Sequence, residues 1–221
     1  MKIEYPTMPV AVKRPRGRPR SFDRDQALAR AMQVFWEKGY EAASMQDLLG
    51  AMDISSPSLY AAFGDKEALF LEAVQQYNRS VSEQCACEDN VPARQAIEEL
   101  LTELAGLFTD RSHPPGCLAV IALMTGNTTS TKVQRLLAAE REEAKARLHM
   151  RIEGGVKRGE LPRDTDVASL VDFYSAVISG MSLQAREGAT RKTLLGLAQT
   201  AMRAWPETPA KRGKKKAVHT A

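Results

Sequence analysis

Residues 44–70 read SMQDLLGAMDISSPSLYAAFGDKEALF, and the order of caps and apolar positions in this stretch decides the fold. Ser44, Ser55 and Asp65 each stand just before a helix-forming run, where a short oxygen-bearing side chain accepts from first-turn amides. Met45, Leu48, Leu49 and Met52 repeat at helical spacing behind Ser44. Behind Ser55, the run SPSLYAAF is barely two turns long and ends at Gly64. Pro57 is admissible there because the first turn has no intrahelical donor to lose. The spacing therefore predicts two short helices joined at Asp53-Ile54, then a longer helix with a stripe of Phe70, Ala73, Val74, Tyr77 and Val81.

Outward from this stretch the helical period continues. Asp23 with Gln26 three residues on makes a capping-box pattern, Leu28, Ala31, Met32 and Phe35 form one face, and Gly39 supplies a stop. Beyond the polar segment CEDNVPAR, Ile97, Leu100, Leu101, Leu104 and Phe108 mark a fifth helix, ended by HPPG. GCLAVIALMTG reads as a short helix buried on all sides. Residues 131–158 form a long charged helix, and two amphipathic helices follow at about 166–187 and 190–205. No alternating run suggests a strand. The fold class is all-α: an N-terminal three-helix helix-turn-helix domain (21–66) joined to a larger helical ligand-binding and dimerisation domain (67–205), flanked by a basic disordered arm (1–20) and tail (206–221).

The net charge of +4 over 221 residues conceals a segregation. Lys2, Lys13, Arg14, Arg16, Arg18 and Arg20 oppose only Glu4 in the arm, and Lys211, Arg212, Lys214, Lys215 and Lys216 oppose only Glu207 in the tail, so the body between them is acidic. Basic ends beside a DNA-binding fold add affinity by neutralising phosphates and releasing counterions. No apolar run approaches the roughly 18 residues needed to span a bilayer, and the N-terminus lacks a signal peptide's apolar core. A cytoplasmic, nucleoid-associated location without membrane contact is expected. His113, His149 and His219 lack a paired zinc spacing, and neither a phosphate-cradling loop nor a nucleophile elbow is present, so no enzyme and no cofactor are expected.

Two short helices across a tight turn match a helix-turn-helix, whose second helix enters the major groove. On a helical wheel Leu59 and Phe63 point inward, while Pro57, Ser58, Tyr60 and Ala61 point outward. An αα-corner within a helical bundle would share this spacing. The residues themselves go further. Phe35 to Tyr40 (aromatic-x-x-x-Gly-Tyr), Ser44-Met45-x-x-Leu48 and Ser58-Leu59-Tyr60-x-x-Phe63-x-x-Lys66-Glu67-x-Leu69 closely resemble the DNA-binding domain of TetR-family regulators over about sixty residues. Met45 and Leu48 stand where isoleucine and valine are common in that family. The resemblance implies double-stranded operator DNA as a partner. It places Ser44 on a phosphate at a helix N-terminus, Ser55, Ser56, Pro57 and Ser58 at base edges, and Tyr60 and Lys66 on the backbone. Arg16 and Arg18, within RPRGRPR, resemble an AT-hook and are expected to lie in an adjacent minor groove.

The C-terminal helices resemble the same family more loosely, in order rather than motif. They imply a homodimer in which the last two helices pair across a two-fold axis, with Tyr174, Ile178, Met181, Leu197 and Ala201 at the interface and Ser175, Gly180 and Ala198 permitting close approach. They also imply a small-molecule effector in a cavity lined by Leu101, Leu104, Phe108, Cys117, Met124 and Phe173, whose binding releases the protein from its operator. Cys85, Cys87, His113 and Cys117 could instead form a soft-metal or thiol sensor, with inert packing the plainer reading. An architectural DNA-coating protein, a helical small-molecule-binding protein or enzyme with an incidental corner, and an activator rather than a repressor are the competing classes.

Overall fold

A computed structural model describes residues 22–85, 90–124 and 130–207. Among the described residues there are nine helices and no strand: α1 (Arg24–Ala42), α2 (Met45–Met52), α3 (Ser56–Phe63), α4 (Lys66–Gln84), α5 (Ala93–Phe108), α6 (Leu118–Met124), α7 (Thr131–Arg158), α8 (Val167–Arg186) and α9 (Arg191–Met202). Asp23, Ser44, Ser55, Asp65, Ser130, Asp166 and Thr190 each accept from a first-turn amide, so the boundaries fall where the caps dictate.

Gly39 interrupts α1 rather than ending it, with φ 77° and ψ 171°. The break turns Tyr40 onto Phe70, with ring centroids 5.0 Å apart, so the last turn serves packing against α4. Phe35 meets the same Phe70 ring edge-on at 5.0 Å.

Two apolar cores share the chain. The first gathers Leu28, Phe35, Leu48, Leu59, Phe63 and Phe70 from α1–α4, and extends to Leu118 of α6 and Val133 and Leu137 of α7. The second gathers Ile97, Leu101 and Phe108 of α5 with Leu148 and Ile152 of α7, Tyr174 and Met181 of α8, and Leu194 of α9. The helix α4 therefore packs with the N-terminal helices along its first half.

Contacts between the halves are specific. Arg186, at the end of α8, donates to the Glu37 carbonyl of α1. Glu67 of α4 accepts from Ser130 and pairs with Lys132 at 3.0 Å. Gly116 anchors α6 on α8: at φ 86° its Cα sits where a Cβ would stand 2.7 Å from the Ser182 carbonyl, and the next amide, of Cys117, donates to Ser182 Oγ at 2.8 Å.

Candidate nucleic-acid interface and effector cavity

The α3 helix presents the face expected of it. Leu59 and Phe63 are buried, whereas Ser55, Pro57, Ala61 and Tyr60 are exposed, Tyr60 at 55%. Ser56 and Ser58 are half-exposed beside them. Ser55 Oγ caps the Ser58 amide at 3.4 Å and lies 2.9 Å from Ser58 Oγ, so these two hydroxyls orient one another. With short side chains along α3, the backbone can approach base edges while the Tyr60 phenol reaches outward.

Two expected contact residues also make contacts within the fold. Ser44 Oγ accepts from the Asp47 amide at 3.0 Å and donates to Asp47 Oδ2 at 2.8 Å, and the Ser44 amide donates to the same carboxylate at 3.0 Å. The hydroxyl and amide assigned to a phosphate thus close a capping box, with a carboxylate at the site. Lys66, assigned to the DNA backbone, is half-buried: Nζ donates to the Glu41 carbonyl at 3.3 Å and lies 4.7 Å from the Tyr40 ring centroid. Burial lowers its pKa, which fits a cation serving the packing of α1 on α4. Arg16 and Arg18 lie outside the described residues.

Asp47 is held at a pKa of about 2, chiefly by the Lys38 ammonium at 2.7 Å and then by Ser44. A depressed carboxylate contributes stability in full above its unfolded value of about 3.9 and loses it as pH falls through the folded one. The α2 cap is therefore expected to be intact from about pH 4 upward. Carboxyl NMR should give Asp47 a midpoint near 2, and a midpoint near 3.9 would show the capping box to be broken in solution.

A residue absent from the sequence reading positions α3. Arg24 donates to both Glu72 carboxylate oxygens, at 2.6 and 2.8 Å, and to the Ala62 carbonyl at 3.2 Å, while its guanidinium lies 4.4 Å from the Phe63 ring centroid. It clasps the C-terminal turn of α3 to α4 from the start of α1. Arg24→Ala is expected to cost about 1–2 kcal/mol in urea unfolding, since the pair is bidentate but partly exposed. Lys at this position should recover only part, because it lacks the planar fork.

A cavity of about 370 Å³ lies among α4, α5, α6, α7 and α8. Leu104, Phe108 and Cys117 line it as expected, joined by Tyr77, Asn78, Val81 and Cys85 from the α4 end, Leu137 and Leu148 of α7, and Ile178 of α8. Leu101 is wholly buried in the second core and does not reach the cavity wall. Phe173 is 39% exposed on the opposite side of α8. The Met124 side chain lies outside what the structure describes.

The five residues expected at a dimer interface do not share one face. Tyr174 and Met181, at 0% and 1% exposure, belong to the protomer's own core, as does Ala201; Ile178 faces the cavity. The outward face of α8 and α9 is a shallow groove of Phe173, Val177, Gly180, Met181 and Gln184 with Leu197, Thr200 and Ala201. Of the five residues expected at an interface, Met181, Leu197 and Ala201 line this groove, Leu197 half-exposed and the other two buried. The helix α8 carries more than one apolar stripe, and the one with Tyr174 is taken up by the chain's own core.

The cysteine group does not assemble as a metal site. Among the described residues no three His, Cys, Asp or Glu side chains converge on one point. Cys85 and Cys117 share the cavity wall, but His113 stacks on Trp36 at 4.4 Å and bonds the Pro114 carbonyl through Nδ1 at 2.9 Å. Cys87 lies outside the described residues. Burial pushes the Cys85 thiol up to about 11, with Glu103 adding to it, and pushes Cys117 up as well. Both are thiols at neutral pH, which opposes rapid attack on electrophiles or oxidants.

Residues 27–73 match the family described as "Bacterial regulatory proteins, tetR family", and residues 93–203 match "Tetracyclin repressor-like, C-terminal domain". The chain belongs to the TetR family. The TetR-family assignment extends over nearly the full length of known relatives. The HTH-type transcriptional repressor ComR of Escherichia coli (strain K12) is 36% identical over 200 residues, covering 89% of this chain and 95% of the relative. BdcR of the same organism, also an HTH-type transcriptional repressor, is 30% identical over 189 residues, covering 84% and 90%. A triple-cysteine variant of the TetR family transcriptional regulator CifR, solved with 26-base-pair double-strand operator DNA, superposes with a TM-score of 0.80 at 45% identity over 86% of this chain and all of that one. This TetR-family chain is a helix-turn-helix regulator of transcription, with α2 and α3 as the DNA-binding motif. No helix among the described residues is long and apolar enough to cross a membrane.

Proposed function

We propose that this chain is a homodimeric repressor that binds double-stranded operator DNA through α3 and leaves it when a small molecule fills the cavity. The observation that carries the reading is the double role of α4: Leu69, Phe70, Ala73 and Val74 are embedded in the core of α1–α3, and Tyr77, Val81 and Ser82, one to two turns further, line the cavity. A ligand that favours a different placement of α4 favours a different placement of α3, and the differential affinity sets the coupling, typically 1–3 kcal/mol. The operator complex of the CifR variant and the repressor activity named for ComR and BdcR support this direction of control. Across a two-fold axis, the groove of Phe173, Val177 and Leu197 meets its own copy, which spaces two α3 helices for half-sites about one helical turn apart. The basic arm, with Arg16 and Arg18, supplies a minor-groove contact beside the motif.

Footprinting of the DNA upstream of the protein's own gene, with excess competitor, tests the reading. A protected palindromic patch is expected. Uniform coating would favour the architectural class, and no preferred site in a genome-wide fragment selection would overturn the proposal.

A further inference from the structure

Tyr77 is 4% exposed, and no partner meets its hydroxyl in good hydrogen-bond geometry, although the Cys117 thiol and the Leu118 backbone interact with it. The phenol stands at the cavity wall beside the Cys117 thiol. A hydroxyl left unpaired away from water costs about 1–3 kcal/mol, a cost phenylalanine would not incur at the same position. The ring is fixed rather than adrift, meeting Trp36 edge-on at 4.8 Å and 73°. Trp36 in turn stacks on His113, so the phenol is the cavity end of an aromatic column that runs into α1.

Several other polar groups on the wall are engaged. The Asn78 amide donates to Glu140 at 2.7 Å, and Ser179 Oγ donates to the Ser175 carbonyl at 2.9 Å. Arg147 pairs with Glu143 at 2.7 Å, and Arg151 donates to the Cys85 carbonyl at 3.2 Å. Burial pushes the phenol well above its usual value and raises the neighbouring thiol, so both groups keep their protons. No cation acts on either group; of the arginines on the wall, Arg147 and Arg151 are held by Glu143 and the Cys85 carbonyl, and Arg141 is exposed on α7. A carboxylate there would be desolvated without a counter-charge, whereas a carbonyl or ether oxygen requires only a donor.

We infer that Tyr77 donates its hydroxyl hydrogen to the effector, and that the effector is a neutral, mostly apolar molecule with an acceptor oxygen, such as a ketone, aldehyde or ester. The inference rests on the cavity being the effector site. A volume of about 370 Å³ lies at the small end of ligand pockets, so the molecule is compact. The same hydrogen bond that recognises the oxygen pulls on the ring that packs against Trp36 of the DNA-binding half.

Three probes of nearly equal size separate the possibilities: acetophenone (neutral acceptor), cumene (no acceptor) and benzoate (anion). Dissociation constants are measured by calorimetry on the full chain, as wild type and as Tyr77→Phe. The substitution should weaken acetophenone about tenfold, the equivalent of one hydrogen bond, and leave cumene within about twofold. Thermal unfolding of the unliganded variant should lie at or above that of wild type, because the orphan hydroxyl is gone; this excludes a folding defect. Equal effects on acetophenone and cumene would overturn the role of Tyr77 while leaving the cavity intact. Tighter binding of benzoate than of acetophenone to wild type would overturn the neutral class. If none of the three binds wild type up to millimolar concentration, the cavity reading fails and this inference with it.

Discussion

Val177→Asp is expected to leave the chain monomeric in sedimentation and to lower operator affinity by about a thousandfold or more. The residue lies half-buried on the groove of α8 and α9, clear of the cavity and at the margin of the second core. In a two-fold interface each substitution appears twice, so two carboxylates would be buried close together without counter-charges. Specific DNA affinities of dimeric regulators fall at about 10⁻⁸–10⁻¹¹ M, and a lone half-site retains about half of that free energy, which gives the expected loss. Tyr174→Ala makes the contrast. That ring is wholly buried against Phe173 and Trp205, so its removal should cost about 3–5 kcal/mol of stability. A dimeric Val177→Asp protein with wild-type operator affinity would remove this groove from the interface.

Tyr60→Ala is expected to weaken operator binding by about a hundredfold without lowering the unfolding midpoint. More than half of the side chain is exposed, so little packing is lost. One phenol-to-phosphate hydrogen bond is worth about 1–1.5 kcal/mol, and a dimer loses two. Tyr60→Phe should reproduce most of the loss, because the hydroxyl carries the contact. By comparison, Leu59→Ala, one residue away and wholly buried, should cost about 2–5 kcal/mol of fold stability. If Tyr60→Ala binds operator like wild type, α3 meets DNA through another face.

The elements that the sequence predicted well are those governed by local chemistry. The capped starts at Ser44, Ser55 and Asp65 need only the few residues that follow, and the α7 range of Thr131–Arg158 follows from a serine cap and a Gly159 stop. Inward-facing Leu59 and Phe63 were readable because α3 has one apolar stripe. Where a helix has two, as α8 does, periodicity cannot say which stripe enters the chain's own core, and Tyr174 lies there while Phe173 lies on the outward groove. The Arg24–Glu72 clasp joins residues 48 positions apart and leaves no local pattern. Ser44 and Lys66 fit a phosphate contact by type, and their bonds to Asp47 and the Glu41 carbonyl, within the fold, were not legible in the sequence.

The column of Tyr77, Trp36 and His113 also makes the molecule its own optical instrument. The chain has two tryptophans. Trp36 is enclosed between the cavity's phenol and an imidazole, and Trp205 packs beside Tyr174 in the second core. Their emission therefore reports on two separate places. With Trp205 replaced by phenylalanine, the remaining signal comes from the junction between cavity and DNA-binding helices, and effector arrival can be followed in real time without a label.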